Sequence, residues 1–178
     1  MNQTLSYHKG HPNPQLFRKD YQILDGEWDF MFDEENIGIY KKWFLDFPSD
    51  CLKITVPYPY QTKKSGINEP NKKVDVIWYH KKINIEKSAN VVSLVFLGVD
   101  YETDLFINGR LVYNHTGGYD IFKVNIASYL KDGENNITLR VTDRMNIDQL
   151  RGKQRWRKSS FECFYTETSG IWKSVYLE

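Results

Sequence analysis

The feature that most constrains the fold of this 178-residue chain is the spacing of its apolar residues. In short runs they recur at every second position, and polar or glycine-containing stretches separate the runs. A period of two puts successive side chains on opposite faces of a β-strand, whereas a helix needs a period near 3.6. The spacing predicts about nine short strands and little helix, with the runs at 24–32, 52–56, 77–85, 91–97, 103–107, 111–113, 122–126, 137–141 and 171–177.

The connections between the runs favour antiparallel pairing. Asn108-Gly109 stands between two alternating runs, and both residues tolerate the positive φ of a type I′ turn, so we expect a hairpin there. Residues 91–97 are almost wholly apolar, which is typical of a central strand covered on both faces. Parallel βαβ units would need intervening helices. We therefore expect an all-β fold, a β-sandwich or jelly roll.

Charge and composition exclude several classes of partner. Lysine and arginine number 24 against 23 aspartate and glutamate residues, so we expect neither nucleic acid nor a membrane as partner. The most apolar stretch, residues 91–99, is too short to span a bilayer. The two cysteines, Cys51 and Cys163, lack the spacing of a zinc site or a disulfide framework, and we expect no metal and no cofactor.

The beginning of the chain is predicted to be an arm. Residues 1–20 are polar and contain two prolines, which fix φ, so we expect an extended N-terminal arm before a sandwich domain at 21–178. The first ten residues lack the apolar region of a signal peptide. Together with two unpaired thiols, this favours a cytoplasmic location.

Segments of the chain also form an ordered set. They are HPNPQ (11–15), LDGEWDF (24–30), ITVP (54–57), WY (78–79), FLGVDYETDLFINGRLVYNHTGGYDIF (96–122), RVTD (140–143), RGKQ (151–154), TSGIW (168–172) and VYLE (175–178). In this order they resemble the sugar-binding domain that opens family 2 glycoside hydrolases, which include β-galactosidases, β-glucuronidases and β-mannosidases. Each segment is weak alone, but the set is specific and covers nearly the whole chain.

The resemblance implies a jelly-roll, galactose-binding-domain-like sandwich that is one part of a glycosidase. It implies a homo-oligomeric parent whose immunoglobulin-like and TIM-barrel domains are absent from this chain, and a β-glycoside bound where this domain meets the barrel. In the family, two barrel glutamates hydrolyse terminal β-glycosidic bonds with retention, which needs carboxyls about 5–5.5 Å apart. No barrel motif occurs here, so we expect the chain to be inactive alone.

Two positions depart from the family pattern. Several relatives carry an aspartate shortly before the Gly-Ile of the last strand, and it reaches the substrate or a bound cation. Phe164 stands at that position here, and Tyr21 stands where relatives commonly have tryptophan. The first difference counts against β-galactosidase or β-glucuronidase specificity and against a sodium site.

Acidic residues cluster in two places. Asp100, Glu102 and Asp104 are two residues apart, which predicts a shared strand face, and Glu162 and Glu167 flank Tyr165. Paired carboxylates can act as acid and base, but a fold alone does not assign that chemistry. We interpret these residues as solvated or loop carboxylates.

A second set of residues is interpreted as structural. Glycine is favoured where φ is positive, and we expect the His115 ring to bond to nearby backbone and fix a bend. One ring of Trp78-Tyr79 is expected to face the core and the other the opposite surface. The set is Asn108, Gly109, His115, Gly117, Gly118, Tyr119, Trp78, Gly170 and Trp172.

The polar stretch 144–158 is the strongest candidate for binding. The resemblance places this loop near the mouth of the barrel, where basic side chains would bind an anionic or polyhydroxylated sugar. The alternative is a solvated loop that becomes ordered only against the missing domain. The candidate substrate-binding residues are Arg151, Lys153, Gln154, Trp156 and Asp143.

Two rival functions stay open. A self-sufficient carbohydrate-binding module would align solvent-facing tryptophan or tyrosine rings on one sheet. A structural or oligomer-forming domain would show a large exposed apolar patch and no polar pocket.

Overall fold

The computed structural model describes residues 11–15, 18–86, 91–145 and 148–178, and in them the predicted all-β fold is confirmed. All nine predicted runs contain strand. The strands are β1 (Gln22–Ile23), β2 (Gly26–Phe32), β3 (Leu52–Val56), β4 (Val76–Ile85), β5 (Ser93–Phe96), β6 (Val99–Asp100), β7 (Glu102–Ile107), β8 (Arg110–Thr116), β9 (Phe122–Asn125), β10 (Gly133–Thr142), β11 (Gly170–Ile171) and β12 (Val175–Leu177). Two short 3-10 turns lie at Lys63–Ser65 and Ala127–Tyr129.

The strands form two main antiparallel sheets. The larger has six strands in the order β3-β2-β4-β10-β7-β8, and the smaller has four in the order β1-β12-β5-β9. β6 and β11 form a two-stranded pair. β5 lies between β12 and β9 with all four residues buried, as its apolar composition predicts.

The core lies between the two sheets. β10 shows the alternation that fills it, because Ile137, Leu139 and Val141 are fully buried in the core cluster while the residues between them face the outer side. Leu94 and Phe96 of β5 come from the opposing sheet. The period of two in the sequence therefore records which face of each strand meets the other sheet.

A second, smaller cluster covers the outer face of the six-stranded sheet. Residues 37–47 cross this face, and the Asp33 carboxylate holds them by accepting bonds from the Ile37 and Gly38 amides at 2.7 and 2.9 Å. Beneath this segment, Trp78 and Phe106 of the sheet form the cluster with Trp43 of the segment. Trp78 and Tyr79 therefore lie on opposite faces of β4, as expected, but both rings are fully buried.

The predicted hairpin connects β7 and β8. Asn108 and Gly109 have φ of 50° and 79°, the two positive values that the turn needs. The Asn108 amide donates to Tyr129 O at 2.9 Å and to Asn135 Oδ1 at 2.8 Å. The pairing of β7 with β8 contains a β-bulge next to Leu105.

Strand β10 begins earlier in the chain than the sequence predicts. We expect residues 132–136 to form a polar turn, but β10 begins at Gly133 and pairs with β4 from there. Asn135 is fully buried, and its side chain bonds Lys131 N at 2.8 Å, which closes the turn before the strand. Polar composition concealed this part of the strand.

The end of the chain meets the arm. Glu178 forms ion pairs with Arg18 Nε at 3.0 Å and with Lys123 Nζ at 2.5 Å, and His11 Nε2 lies 3.5 Å from its carboxylate. The described part of the arm, residues 11–15 and 18–20, contains no strand or helix. Residues 1–10 and 16–17 of the predicted arm lie outside the described residues.

Candidate functional site

The candidate site is the long connection between β10 and β11, residues 143–169, which we call the β10–β11 loop. The structure describes 143–145 and 148–169 of it. The loop folds back on itself, since Arg155 N donates to Tyr165 O at 2.7 Å and Tyr165 N donates to Lys153 O at 2.8 Å. A tight turn at Phe161–Phe164 forms its tip. The loop is therefore a small lobe at the end of the sandwich.

A buried ion pair forms the first anchor of the lobe. Arg151 Nη1 donates to Asp143 Oδ1 at 3.1 Å, and each residue is 6% exposed. Gln149 Nε2 donates to the same carboxylate oxygen at 2.5 Å, and Ser169 Oγ donates to the other at 2.5 Å. Two of the five predicted binding residues, Asp143 and Arg151, thus lie inside the protein and contact each other.

A second buried pair joins the lobe to the rest of the domain. Arg155 Nε donates to Glu167 Oε2 at 2.7 Å, and Lys73 contacts the other carboxylate oxygen. Arg155 Nη2 also donates to Pro70 O at 2.6 Å. Burial, followed by the charges of the nearby arginines, lowers the pKa of Lys73 to about 8. These contacts connect the lobe to the loop at residues 58–75.

Asp100 and Gln154 form a third contact. Gln154 Nε2 donates to Asp100 Oδ2 at 2.7 Å, and Gln154 Oε1 accepts the Thr168 amide at 2.6 Å. Asp100 is 3% exposed. Burial, followed by the nearby Asp143 carboxylate, raises the pKa of Asp100 to about 7. Gln154, a predicted binding residue, is thus occupied by contacts within the domain.

The interpretation of the acidic clusters as solvated or loop carboxylates is wrong for Asp100, a buried strand residue, whereas Glu167 is a loop carboxylate that is also buried. Asp100 and Glu167 are buried, each 3% exposed, and each binds a side chain of the lobe. The expected shared face also fails, because the strand is interrupted at Tyr101 and Asp100 lies in β6, which pairs with β11 rather than with β8. Glu102 and Asp104 are part-exposed and pair with Arg144 and Arg140 at 3.1 Å.

The outer surface of the lobe is aromatic and basic. Trp156 is 37% exposed and Tyr165 64%. Trp156 packs edge-on against Phe164 and Phe161, with ring centroids 4.4 and 5.1 Å apart, so its indole is held in place. Lys153, Arg157 and Lys158 are exposed cations of this surface, and Arg157 lies over the Phe161 ring. Of the five predicted binding residues, Lys153 and Trp156 are the two that this surface presents.

The glycine-containing bend after β8 supports the inner side of the lobe. His115 Nε2 lies 3.2 Å from Gly117 O, the local backbone contact expected for that ring. A Cβ on Gly118 would lie 2.6 Å from Asp100 Oδ1, so only glycine leaves room for the carboxylate. Trp172 Nε1 donates to Gly118 O at 2.7 Å, and Tyr119 Oη lies 3.4 Å from Arg151 O.

Gly170 has a similar steric role at the start of β11. Its φ is 83°, and a Cβ there would lie 2.1 Å from Tyr79 Oη. The adjacent Ile171 amide donates to that hydroxyl at 3.3 Å. The core tyrosine therefore helps to fix where the lobe returns to the sandwich.

The described ranges, with gaps at 1–10, 16–17, 87–90 and 146–147, hold no group of three or more His, Cys, Asp or Glu residues suited to a metal ion. Among the same residues, no helix has the length and apolar character needed to cross a membrane.

Comparison with known proteins gives one family. The family model described as the sugar binding domain of glycosyl hydrolases family 2 matches residues 21–178. The chain is 28% identical over 127 residues to a putative β-glucuronidase of Formosa agariphila, covering 70% of this chain and 14% of that protein. It is 26% identical over 180 residues to a β-galactosidase of Priestia megaterium, covering 88% of this chain and 16% of that protein.

Solved structures show the same fold. A Ruminococcus gnavus β-glucuronidase superposes with a TM-score of 0.74 at 20% identity, covering 91% of this chain and 30% of that one. A β-glucuronidase of an uncultured Clostridium species gives 0.72 at 23% identity, covering 91% and 29%. This chain thus spans less than a third of the proteins that it resembles.

Proposed function

Because the chain belongs to the family of sugar binding domains of glycosyl hydrolases family 2, we propose that it is the non-catalytic, carbohydrate-contacting part of an enzyme. We expect that enzyme to hydrolyse terminal β-glycosidic bonds. The names of the two curated relatives, β-glucuronidase and β-galactosidase, support this class. We assign residues 21–178 to this domain and 1–20 to an arm that precedes it. The two free thiols, Cys51 and Cys163, favour the cytoplasm.

We assign the chemical step to another domain of the parent enzyme. The curated relatives named above are far longer than this chain, which covers 14% and 16% of them. A retaining mechanism needs two carboxyls about 5–5.5 Å apart, one as nucleophile and one as acid and base. The buried carboxylates Asp100, Asp143 and Glu167 are committed to partners within this domain. We therefore expect the barrel of the parent to supply both catalytic groups.

One observation carries the proposed role of this domain: an exposed aromatic and basic surface stands on two buried ion pairs. The pairs brace the lobe internally, and the bonds of Gln154 to Asp100 and of Arg155 to Pro70 hold it against the rest of the domain. Aromatic packing fixes Trp156 within the lobe. A preformed wall of this kind lowers a barrier by orienting the substrate, without taking part in bond cleavage. Trp156 would cover the apolar face of a sugar ring, and Lys153 would bond to its hydroxyl or carboxyl groups.

The test uses the full-length protein that carries this domain and p-nitrophenyl β-glycosides of galactose, glucuronic acid and mannose. We expect Trp156→Ala to lower kcat/KM about two- to twelvefold, because one stacked ring contributes about 0.5–1.5 kcal/mol. The matched control is Tyr40→Ala, an 86% exposed ring on the segment that crosses the outer sheet face, and it should leave kcat/KM unchanged.

Two results would contradict the proposal. If the full-length protein cleaves none of the three glycosides, the proposed enzyme class is contradicted. If the two alanine variants have equal effects, the proposed role of the lobe is contradicted. Turnover by this chain alone would contradict the assignment of catalysis to another domain.

A self-sufficient carbohydrate-binding module is the second candidate. The exposed rings of Tyr119, Trp156 and Tyr165 favour it, since such modules bind sugars on aromatic side chains. These rings lie on the lobe and the adjacent bend, however, and not along one sheet. Calorimetry that detects tight binding of a monosaccharide at the lobe of the isolated chain would favour this candidate over the first.

A further inference from the structure

A second polar cleft lies on the outer face of the six-stranded sheet, away from the lobe. It has a volume of about 400 Å³, within the range of small-molecule sites. The segment 43–51 forms one wall, and Asp29, His80, Asn136 and Thr138 form the floor. Asn136 lies in the first half of β10 and Asp143 directly follows its last residue, about 23 Å away at about 3.3 Å per residue. The cleft is therefore separate from the surface used in the proposed function.

The floor of the cleft is built from ordered polar groups. His80 is 7% exposed, and its Nδ1–H donates to Asp29 Oδ2 at 3.0 Å while its Nε2 lies 3.2 Å from the end of the Asn136 side-chain amide, which donates to it. Lys53 donates to the other Asp29 oxygen at 2.5 Å. Phe47 stacks on the His80 ring with centroids 5.1 Å apart and planes 16° apart. Each floor side chain is thus held by its neighbours before any ligand binds.

The floor keeps hydrogen-bonding capacity directed at the cleft. Because Nε2 of a ring that donates from Nδ1 accepts, the Asn136 amide gives an N–H to His80 and leaves its carbonyl oxygen to accept from a ligand. The Asp29 carboxylate also accepts from the Cys51 thiol, so it keeps one lone pair beyond the bonds from Lys53, His80 and Cys51. A ligand with hydroxyl groups satisfies both acceptors, because each hydroxyl donates one hydrogen bond.

The charges of the cleft balance. Two lysines, Lys53 and Lys82, and two aspartates, Asp29 and Asp46, line it. Each lysine is already paired, Lys53 with Asp29 and Lys82 with Glu134 at 3.1 Å. Both pairs are exposed, and an uncharged ligand leaves them in place, whereas a charged one competes with them. The cleft therefore favours a neutral ligand.

Aromatic edges complete the wall. Trp43 and Phe44 line the cleft beside Phe47, and they are fixed from behind because Trp43 packs on Trp78 and Phe44 stacks on Phe106. Fixed rings beside balanced polar groups match a molecule with an apolar ring face and a rim of hydroxyls. We propose that this cleft is a second carbohydrate site, which binds a neutral saccharide unit on the sheet face away from the lobe.

The test is an NMR titration of the 178-residue chain with cellobiose and methyl β-D-galactopyranoside, and with sodium glucuronate as the charged comparison. We expect the neutral probes to shift the Asn136 side-chain amide, the Trp43 indole and the backbone amides of residues 43–51. Asn136→Ala should weaken this binding about tenfold, the loss of one well-made hydrogen bond. Trp156→Ala, on the lobe, should leave it unchanged.

A second variant keeps the test decisive if Asn136→Ala perturbs the fold. Ser49→Trp fills the cleft from its exposed rim without touching the floor, and it should abolish the shifts. Shifts confined to 148–168 would overturn the cleft site while supporting the proposed function. Stronger binding of glucuronate than of the neutral probes, or no shift in the cleft with any probe, would also overturn it. None of these outcomes depends on the activity of the parent enzyme.

Discussion

At the scale of single residues, the most informative group is the buried carboxyl of Asp100. Its pKa is raised from an ordinary value of 3.8 to about 7, chiefly by burial. The folded protein therefore holds a proton between about pH 4 and pH 7 that the unfolded chain releases. Proton binding by the folded state means that stability falls as the pH rises through this window.

We predict that Asp100→Asn removes this pH dependence. Above pH 7 the variant should be the more stable protein by up to about 4 kcal/mol, at about 1.4 kcal/mol per pKa unit, because a neutral amide still accepts the bond from Gln154. Urea unfolding at pH 5, 6, 7 and 8 measures the difference, and Asp50→Asn, at an exposed carboxylate, is the control. Parallel pH profiles of the wild-type chain and Asp100→Asn would contradict the prediction.

Arg151 and Lys153 test which cations of the lobe are structural. Removing one member of a buried pair leaves the other charge uncompensated, so Arg151→Met should lower the free energy of unfolding by about 3 kcal/mol. The exposed Lys153→Met should change it by less than about 0.5 kcal/mol. Denaturant midpoints of the two variants decide the question. Should the two variants prove equally stable, the Asp143–Arg151 pair would not be an anchor.

At the scale of elements, the hairpin between β7 and β8 depends on a side chain as well as on a turn. Asn108 supplies a positive φ and also bonds Tyr129 O, Asn135 Oδ1 and Asn136 N at 2.8–3.0 Å. These bonds join the turn to the beginning of β10. The hairpin is thus fixed to the centre of its sheet.

Substitution by glycine separates the two contributions. Asn108→Gly keeps the turn geometry but deletes the three bonds, and we expect it to lower the free energy of unfolding by about 2–3 kcal/mol, at about 1 kcal/mol per bond. The matched control is Asn68→Gly at an exposed residue with φ of 59°, which should be neutral or slightly stabilising. Thermal or urea unfolding compares the two. Similar losses in both variants would show that backbone conformation alone matters.

At the scale of the whole molecule, alternation in the sequence predicts the sandwich because burial between two sheets imposes it directly. For this reason the core positions of Ile137, Leu139 and Val141 can be predicted from the sequence. The short strands β6 and β11 cannot be predicted in this way, since a strand of two residues contains no detectable period. The sequence also predicts the wrong surroundings for Asp100, because the alternating pattern continues through Tyr101 although the strand is interrupted there.

The interior of the lobe was the least predictable region. Whether Arg151 is a ligand or an anchor depends on the position of Asp143, which only the folded chain reveals. A basic stretch in a sequence indicates solvent or an anionic ligand, because lone arginines are rarely buried. One signal was available in the sequence: acidic residues are nearly as numerous as basic ones, so the arginines of the lobe could have acidic partners within the chain. Asp143 and Glu167 are such partners.

The four outer strands of the two sheets have a further consequence for how the protein behaves at high concentration. β3 and β9 each carry an exposed lysine, Lys53 and Lys123, β8 is kinked by its bulge, and β1 is two residues long. An unprotected strand margin is a template on which another chain can extend the sheet, and charge, kinking and brevity each oppose that. Each of these four edge strands thus carries a feature that opposes the edge-to-edge pairing through which β proteins aggregate.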